Sequence, residues 1–335
     1  MPVEKFSGGV EIVDWLWMQQ IDPIRLRRVT HTTLVISRIQ WWRTLGFEVV
    51  TEGLSADLFT RPTLVVQNHT HKLDWLPVRS ELKLHVNREM SSWIKLRGFN
   101  EGPIQRWFLA NSGNIPISSR GYVIIADHLE LFDRRPSEEE YRLLRRHVDD
   151  GEPLPKNTWA WKIQHPPPRM LGWGFVPEVM SYSQAVRSTF MDMMSTSLSL
   201  ARRSLTEGYM MHMYPEGTIS SRLCPGKNGA LQVAIALGLQ IVPVGVSGMR
   251  EAFDGLMAAK DGRVTIRFGK PWQIPEGRYD EHVPFDLESE RRFHDELTQD
   301  TQEIMEGINE LLEPDYQWMP DLRPDGKSGI FRFVT

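Results

Sequence analysis

Short aliphatic and β-branched runs alternate with helix-length segments along most of this 335-residue chain, and that alternation restricts the fold more than any single motif. Residues 47–51, 63–67, 209–214, 241–246 and 263–268 read as strands, each apolar or alternating and bounded by turn signals. Residues 101–109, 183–206 and 229–237 read as helices, the last stopped by Gly238. A longer helix is expected over 287–312, with Phe293, Leu297, Ile304, Ile308 and Leu311 on one face. Ile115-Pro116-Ile117 reads as a strand end, and 77–96 is mixed in pattern. Strands interleaved with helices at these spacings predict an α/β fold. It is expected as a single domain with a mixed, mostly parallel central sheet flanked by helices, plus an N-terminal helical segment and a long insertion.

The expected boundaries are an N-terminal, membrane-associating helical segment over 1–46, the α/β domain over 47–275, and a C-terminal helix and tail over 276–335. Within the domain the periodicity degrades from about 122 to 186, where Arg134-Arg135-Pro136 and Pro166-Pro167-Pro168 interrupt it. Loops and short helices are expected there, including a helix over 137–147.

Composition narrows the function classes. A 41% hydrophobic content allows a large core, and 24% charged residues of mixed sign exclude a disordered tail protein. The net charge of −4 provides no global basic field for nucleic acid. The single cysteine, Cys224, excludes an intrachain disulfide framework and fits a reducing compartment. Residues 1–9 lack the apolar core of an export signal, and no run reaches the roughly 18–20 apolar residues of a membrane span. A soluble protein, or one lying on a membrane surface, is expected. Residues 24–47 support the second option: Arg25, Arg27, Arg28, Arg38 and Arg43 occur there with Trp41 and Trp42 and without an acid. A cationic helix with aromatics suits the headgroup region of an anionic bilayer, although solvated arginines on a packed helix give the same pattern. The twelve tryptophans and fifteen methionines fit either an ordinary large core or an apolar lipid surface.

Two stretches carry the residue types of proton transfer. His69 and Asp74 are five residues apart, which in one regular helix would put them on different faces, about 140° apart. They meet only if the chain turns between them, with His69 at the exit of strand 63–67 and Asp74 in the first turn of a helix. The carboxyl ends of strands are where α/β sites form. A carboxylate on one imidazole nitrogen fixes the tautomer and leaves the other nitrogen to accept a proton. Spacing alone does not select the pair, because His128 and Asp133 share it. In the second stretch, Tyr214-Pro215-Glu216-Gly217-Thr218 ends a strand; Pro215 stops pairing and Gly217 permits a turn. Glu216 there is placed to bind hydroxyls, to orient the loop or simply to face solvent, while Thr218 and the turn amides suit an anion.

Arg120 closes Gly113-Asn114-Ile115-Pro116-Ile117-Ser118-Ser119-Arg120, read as a strand ending in an arginine. Its forked guanidinium suits a phosphate. Arg222 and Lys227 are further cationic candidates. Cys224 reads as an inert buried thiol rather than a nucleophile.

In this order the segments resemble the glycerolipid acyltransferase family, which includes glycerol-3-phosphate and lysophosphatidate acyltransferases. Its four blocks are Asn-His-x4-Asp, Gly-x-Ile-x-Ile-x-Arg, Phe-Pro-Glu-Gly-Thr and an apolar strand with Val-Pro. Here they look like Asn68-His69…Asp74, Gly113…Arg120, Tyr214…Thr218 and Ile241…Val244. His128 falls after the second block and so drops out.

The resemblance implies His69 as general base on the acceptor hydroxyl and Asp74 as its orienting acid. It further implies Arg120 on the acceptor phosphate, and Glu216, Gly217 and Thr218 in substrate binding. The implied donor is an acyl thioester of coenzyme A or acyl-carrier protein, and the implied acceptor a lysophospholipid or other glycerolipid. No metal or redox cofactor and no nucleic acid is implied, and the expected location is cytoplasmic, peripheral on the inner face of the membrane. Three departures concern the acceptor side: Ser118 and Ser119 add a residue before Arg120, Ile219 stands where the family often has arginine, and the gap from Arg120 to Tyr214 is long.

Two other readings stand beside this one. His69-Thr70-His71 resembles the opening of a metal-dependent hydrolase site, although Leu73 occupies a position where such sites commonly have Asp. The chain also suits a non-catalytic lipid-binding protein on an acyltransferase scaffold. Finally, Arg134, Arg135, Arg142, Arg145 and Arg146 form either a patch for the donor's phosphates or an acidic carrier, or a solvated face balanced by Glu138, Glu139 and Glu140.

Overall fold

Residues 13–27, 29–30, 46, 48–100, 102–156, 158–164, 171, 175–254, 257–258 and 261–318 are described by a computed structural model. Most of the helix expected over 24–47 lies outside these residues, as do Pro166, Pro167 and Pro168. In chain order the elements are α1 (Trp15–Met18), β1 (Glu48–Glu52), β2 (Thr63–Gln67), α2 (Trp75–Val86), β3 (Glu89–Lys95), α3 (Pro103–Asn111) and β4 (Asn114–Ile117). Then come α4 (Arg120–Phe132), α5 (Glu138–Asp150), α6 (Ala160–Gln164), α7 (Tyr182–Thr206), β5 (Tyr209–Met213), α8 (Gly229–Leu237) and β6 (Gln240–Ser247). The chain closes with α9 (Met249–Ala252), β7 (Phe253–Asp254), β8 (Met257–Ala258), β9 (Arg263–Phe268), α10 (Leu287–Arg292) and α11 (His294–Asn309).

Seven strands form a sheet in the order β1-β9-β6-β2-β5-β3-β4. The pairs β1–β9, β6–β2, β2–β5 and β5–β3 are parallel, and β6–β9 is antiparallel. This is the mixed, mostly parallel sheet expected from the alternation. β2, β5 and β6 are buried along their whole length, as strands of a sheet covered on both faces must be, which is why they read as continuous apolar runs.

The chain divides into two compact units, one of residues 1–23, 93–200 and 327–335, the other of 24–92 and 201–326. These limits differ from the boundaries at 46 and 275 drawn from the sequence. In the second unit, Val65, Val242, Val244 and Ile266 of the sheet form one core with Val78 and Leu82 of α2. At roughly 1.5–3 kcal/mol for each such side chain, this burial holds the strands that carry the site.

The first unit corrects the reading of 122–186 as loops and short helices. Its opening stretch is the thirteen-residue helix α4, capped by Ser119, whose side chain accepts the Tyr122 N–H, and ended by Asp133 in the left-handed region. Gly121 through Leu129 are all buried, Asp127 and His128 among them, so over this span the helix has no solvent-facing stripe. The helix expected over 137–147 is α5, started by a capping box between Ser137 and Glu140. The single helix expected over 287–312 is two helices, because Phe293 leaves helical geometry at φ −102° and ψ 24°. No helix among the described residues is long and apolar enough to cross a membrane.

Candidate active site

β2 and β5 are parallel neighbours, with Val65 opposite His212 and Val66 opposite Met213. The chain therefore leaves both strands at the same end of the sheet, and His69 and Glu216, each three residues beyond a paired position, arrive side by side. Asn68 fixes the first exit. Its buried amide donates to the Val246 carbonyl at 2.9 Å and accepts the Val246 N–H at 2.8 Å, both on β6.

Beyond Asn68 the chain winds around the carboxylate of Asp74, which is fully buried just ahead of α2. Oδ2 accepts the Thr70 N–H at 2.9 Å and the His71 N–H at 3.1 Å, and lies 3.1 Å from His69 Nδ1. Oδ1 accepts the Tyr214 hydroxyl at 2.6 Å. The turn expected between His69 and Asp74 is thus present, and the two side chains meet. A buried carboxylate accepts from Nδ1, so that nitrogen carries the hydrogen and Nε2 the lone pair. Nε2 has no hydrogen-bond partner among the described residues, and the ring is 18% exposed. The Tyr214 ring stacks on the imidazole, with centroids 3.8 Å apart and planes 16° from parallel.

Glu216 is 2% exposed, so it does not face solvent. Oε1 accepts the His69 N–H at 2.7 Å and Oε2 the Cys224 N–H at 2.9 Å. Both oxygens are thereby engaged by backbone, which fits loop orientation rather than hydroxyl binding. Burial pushes the carboxyl up to about 8 despite these two donors, which favour the charged form. The same loop is tied by Ser220 N–H to the His69 carbonyl at 2.8 Å and by Lys227 N–H to the Pro215 carbonyl at 2.9 Å. Gly217 sits at φ +64° and donates its N–H to Tyr214 at 3.0 Å. A Cβ there would come within 3.6 Å of Lys227 Nζ, so this ammonium flanks the turn. Thr218 and Ile219 are half-buried beside it.

The other candidates are placed differently. Arg120 belongs to the first unit, where it is the first residue of α4 and not the end of a strand. Its Nε lies 3.1 Å from Asp149, and its guanidinium lies over the Phe190 ring. Arg222 bonds the Pro314 carbonyl at 3.2 Å. Arg134, Arg142, Arg145 and Arg146 pair with Glu140, Glu138, Asp149 and Glu152 respectively, as a balanced solvated face would. His128 is buried with Nδ1 on the Arg134 carbonyl at 2.9 Å, a structural bond. His71 accepts the Leu73 N–H on Nδ1 at 3.2 Å and stacks on Phe253, so its Nδ1 is already engaged. No group of three or more His, Cys, Asp or Glu residues among the described residues is placed to hold a metal ion. Cys224 is a buried thiol 2.9 Å from the Ser220 hydroxyl.

Two neighbours of the pair went unrecognised in the sequence. Tyr214 had a signal, since tyrosine stands where the resembled block has phenylalanine. His212 had none. It is fully buried on β5 with Nδ1 3.1 Å from Ser92 Oγ, and burial lowers it to about 3, so it is neutral.

Residues 167–247 match the family model described as Acyltransferase, a span that includes β5, Glu216 and β6 but not His69 or Asp74. Among solved structures, the chain is similar to the 1-acyl-sn-glycerophosphate (LPA) acyltransferase PlsC from Thermotoga maritima. The two are 15% identical with a TM-score of 0.40, over 87% of this chain and 86% of that one. No curated protein matches the chain. The comparisons thus show a similarity to the Acyltransferase family model over residues 167–247, about a quarter of the chain.

Proposed function

We propose that the protein is an O-acyltransferase that moves a fatty acyl group from a thioester of coenzyme A or acyl-carrier protein to a hydroxyl of a lysophospholipid or related glycerolipid. One observation carries the reading: His69 Nδ1 rests on a buried carboxylate while Nε2 is open. Nε2 removes the acceptor's hydroxyl proton as its oxygen attacks the thioester carbonyl. The C–O bond forms, the C–S bond breaks, and the imidazolium returns the proton to the departing thiolate. Asp74 holds the tautomer and stabilises the imidazolium, while backbone amides of the loop after β5 supply the oxyanion donors. Glu216 holds His69 through its backbone. Lys227, beside the Gly217 turn, is the cation for an anionic headgroup. No metal or redox cofactor enters the scheme.

Such substrates partition into bilayers, so the proposal includes cytoplasmic, peripheral association with the inner face of the membrane. Ile104, Trp107 and Phe108, at i, i+3 and i+4 on α3, are 84%, 50% and 47% exposed, a surface suited to the headgroup boundary. The test is transfer of labelled acyl groups from acyl-CoA and acyl-carrier protein to lysophosphatidate, glycerol-3-phosphate and other lysolipids. Wild type should transfer to at least one acceptor and His69→Ala should not. Equal activity of the two proteins would overturn the reading. Flotation with anionic vesicles tests the membrane arm, which fails if wild type stays with the soluble fraction.

A further inference from the structure

Tyr214 touches both members of the catalytic pair at once. Its hydroxyl donates to Asp74 Oδ1 at 2.6 Å, and its ring lies 3.8 Å from that of His69. The phenol hydrogen is therefore committed to Asp74. The phenol is held neutral, by burial first and by the Asp74 charge second. Asp74 therefore divides its charge between the phenol on one oxygen and the imidazole, with two backbone amides, on the other.

We propose that Tyr214 is a positioning residue that tunes the base: its hydroxyl draws carboxylate charge away from His69 and so lowers that imidazole's hold on a proton. The inference rests on the acyl-transfer reading, but its geometry stands without it. A hydrogen bond to a carboxylate stabilises the negative charge and weakens that charge's support for a neighbouring cation. An imidazole less firmly protonated stays available as a base at lower pH. A phenylalanine here, as in the resembled block, would keep the stacked ring and lose only this bond. The other groups around the pair are His71 on the same loop, neutral His212 on β5, Glu216 on the following loop, and Arg79 of α2, whose charge reaches His212. All of them are unchanged by removal of one hydroxyl.

The experiment compares wild type with Tyr214→Phe in two readouts: the acid limb of kcat/KM, and the His69 titration followed by imidazole NMR, assigned with His69→Ala. Both should move upward together in Tyr214→Phe, by about half to one pH unit, with the folded spectrum retained. An unmoved or lowered His69 titration in the folded variant overturns the proposal. If the titration moves as expected while wild type transfers no acyl group, the Tyr214 coupling stands and the acyl-transfer reading falls. Should Tyr214→Phe fold poorly, 3-fluorotyrosine at this position provides the second variant. A more acidic phenol donates more strongly, so the His69 titration must shift in the opposite direction to that of Tyr214→Phe.

Discussion

Glu216 Oε1 accepts the backbone N–H of His69 at 2.7 Å, joining two loops 147 residues apart in sequence. Its second oxygen takes the Cys224 N–H, so one side chain satisfies two buried donors. Glutamine at this position offers a single carbonyl oxygen and turns an amide N–H toward the other donor. Glu216→Gln is expected to lose about 1–3 kcal/mol of stability, the cost of an unmet buried donor. Acyl transfer should also drop by about tenfold or more, as His69 loses its backbone anchor. Urea unfolding and steady-state rates measure the two effects.

The same carboxyl makes stability depend on pH. Its folded value of about 8 lies above the ordinary carboxyl value of 4.5, so the folded protein holds this proton more tightly than the unfolded chain. The contribution is fully present below about 4.5 and is lost as pH rises through about 8. It amounts to a few kcal/mol at order of magnitude. Urea midpoints of wild type should fall between pH 5 and 9, and the part of that slope due to this group should vanish in Glu216→Gln.

Removal of the proposed base tests the chemistry directly. His69→Ala is expected to lose about 10²–10⁴ in kcat with circular dichroism unchanged, since the ring is at the protein surface edge. Asp74→Asn should lose about 10³–10⁴ by favouring the wrong tautomer. It should also loosen the 68–74 turn, because an amide cannot accept on both sides as the carboxylate does. Unfolding curves separate this second effect from the kinetic one.

His71 separates the metal-hydrolase alternative from acyl transfer. Its Nδ1 already accepts the Leu73 amide and its ring stacks on Phe253. His71→Ala is therefore expected to keep acyl transfer within about tenfold of wild type, the loss being one local hydrogen bond. A collapse of activity in His71→Ala, together with a loss of wild-type activity on chelation that added zinc or manganese reverses, would favour metal ligation.

β2 and β6 were legible because they are covered on both faces and so are apolar along most of their length, whereas β3 lay hidden in the mixed pattern of 77–96. In α4 the span from Gly121 to Leu129 is wholly buried with Asp127 and His128 inside it, so polarity there does not mark the solvent side. Phe293 passed for a member of an apolar stripe, since a break in backbone geometry between two helices leaves no pattern in hydrophobicity. At the site, His69, Asp74 and Glu216 were all marked from the sequence. The engagement of Glu216 by two amides depends on the loop at Cys224 folding back, which no local pattern records. Arg120 reads as a bare cation in sequence, and its pairing with Asp149 arises only when α4 and α5 are both formed.

Asn68 reads both backbone groups of Val246, and this has a consequence for how the chain finds its fold. In a parallel ladder one residue points its N–H and C=O toward one neighbour, and the next residue points them away. A slip of β2 along β6 by a single residue would carry the Asn68 side chain from Val246 to Gly245 or Ser247, whose backbone groups face β9 instead. Both bonds would be lost at once, and a buried amide would be stranded. The side chain thus favours a single alignment of two strands whose bonded residues lie 178 positions apart, since any other alignment leaves a buried amide unmet.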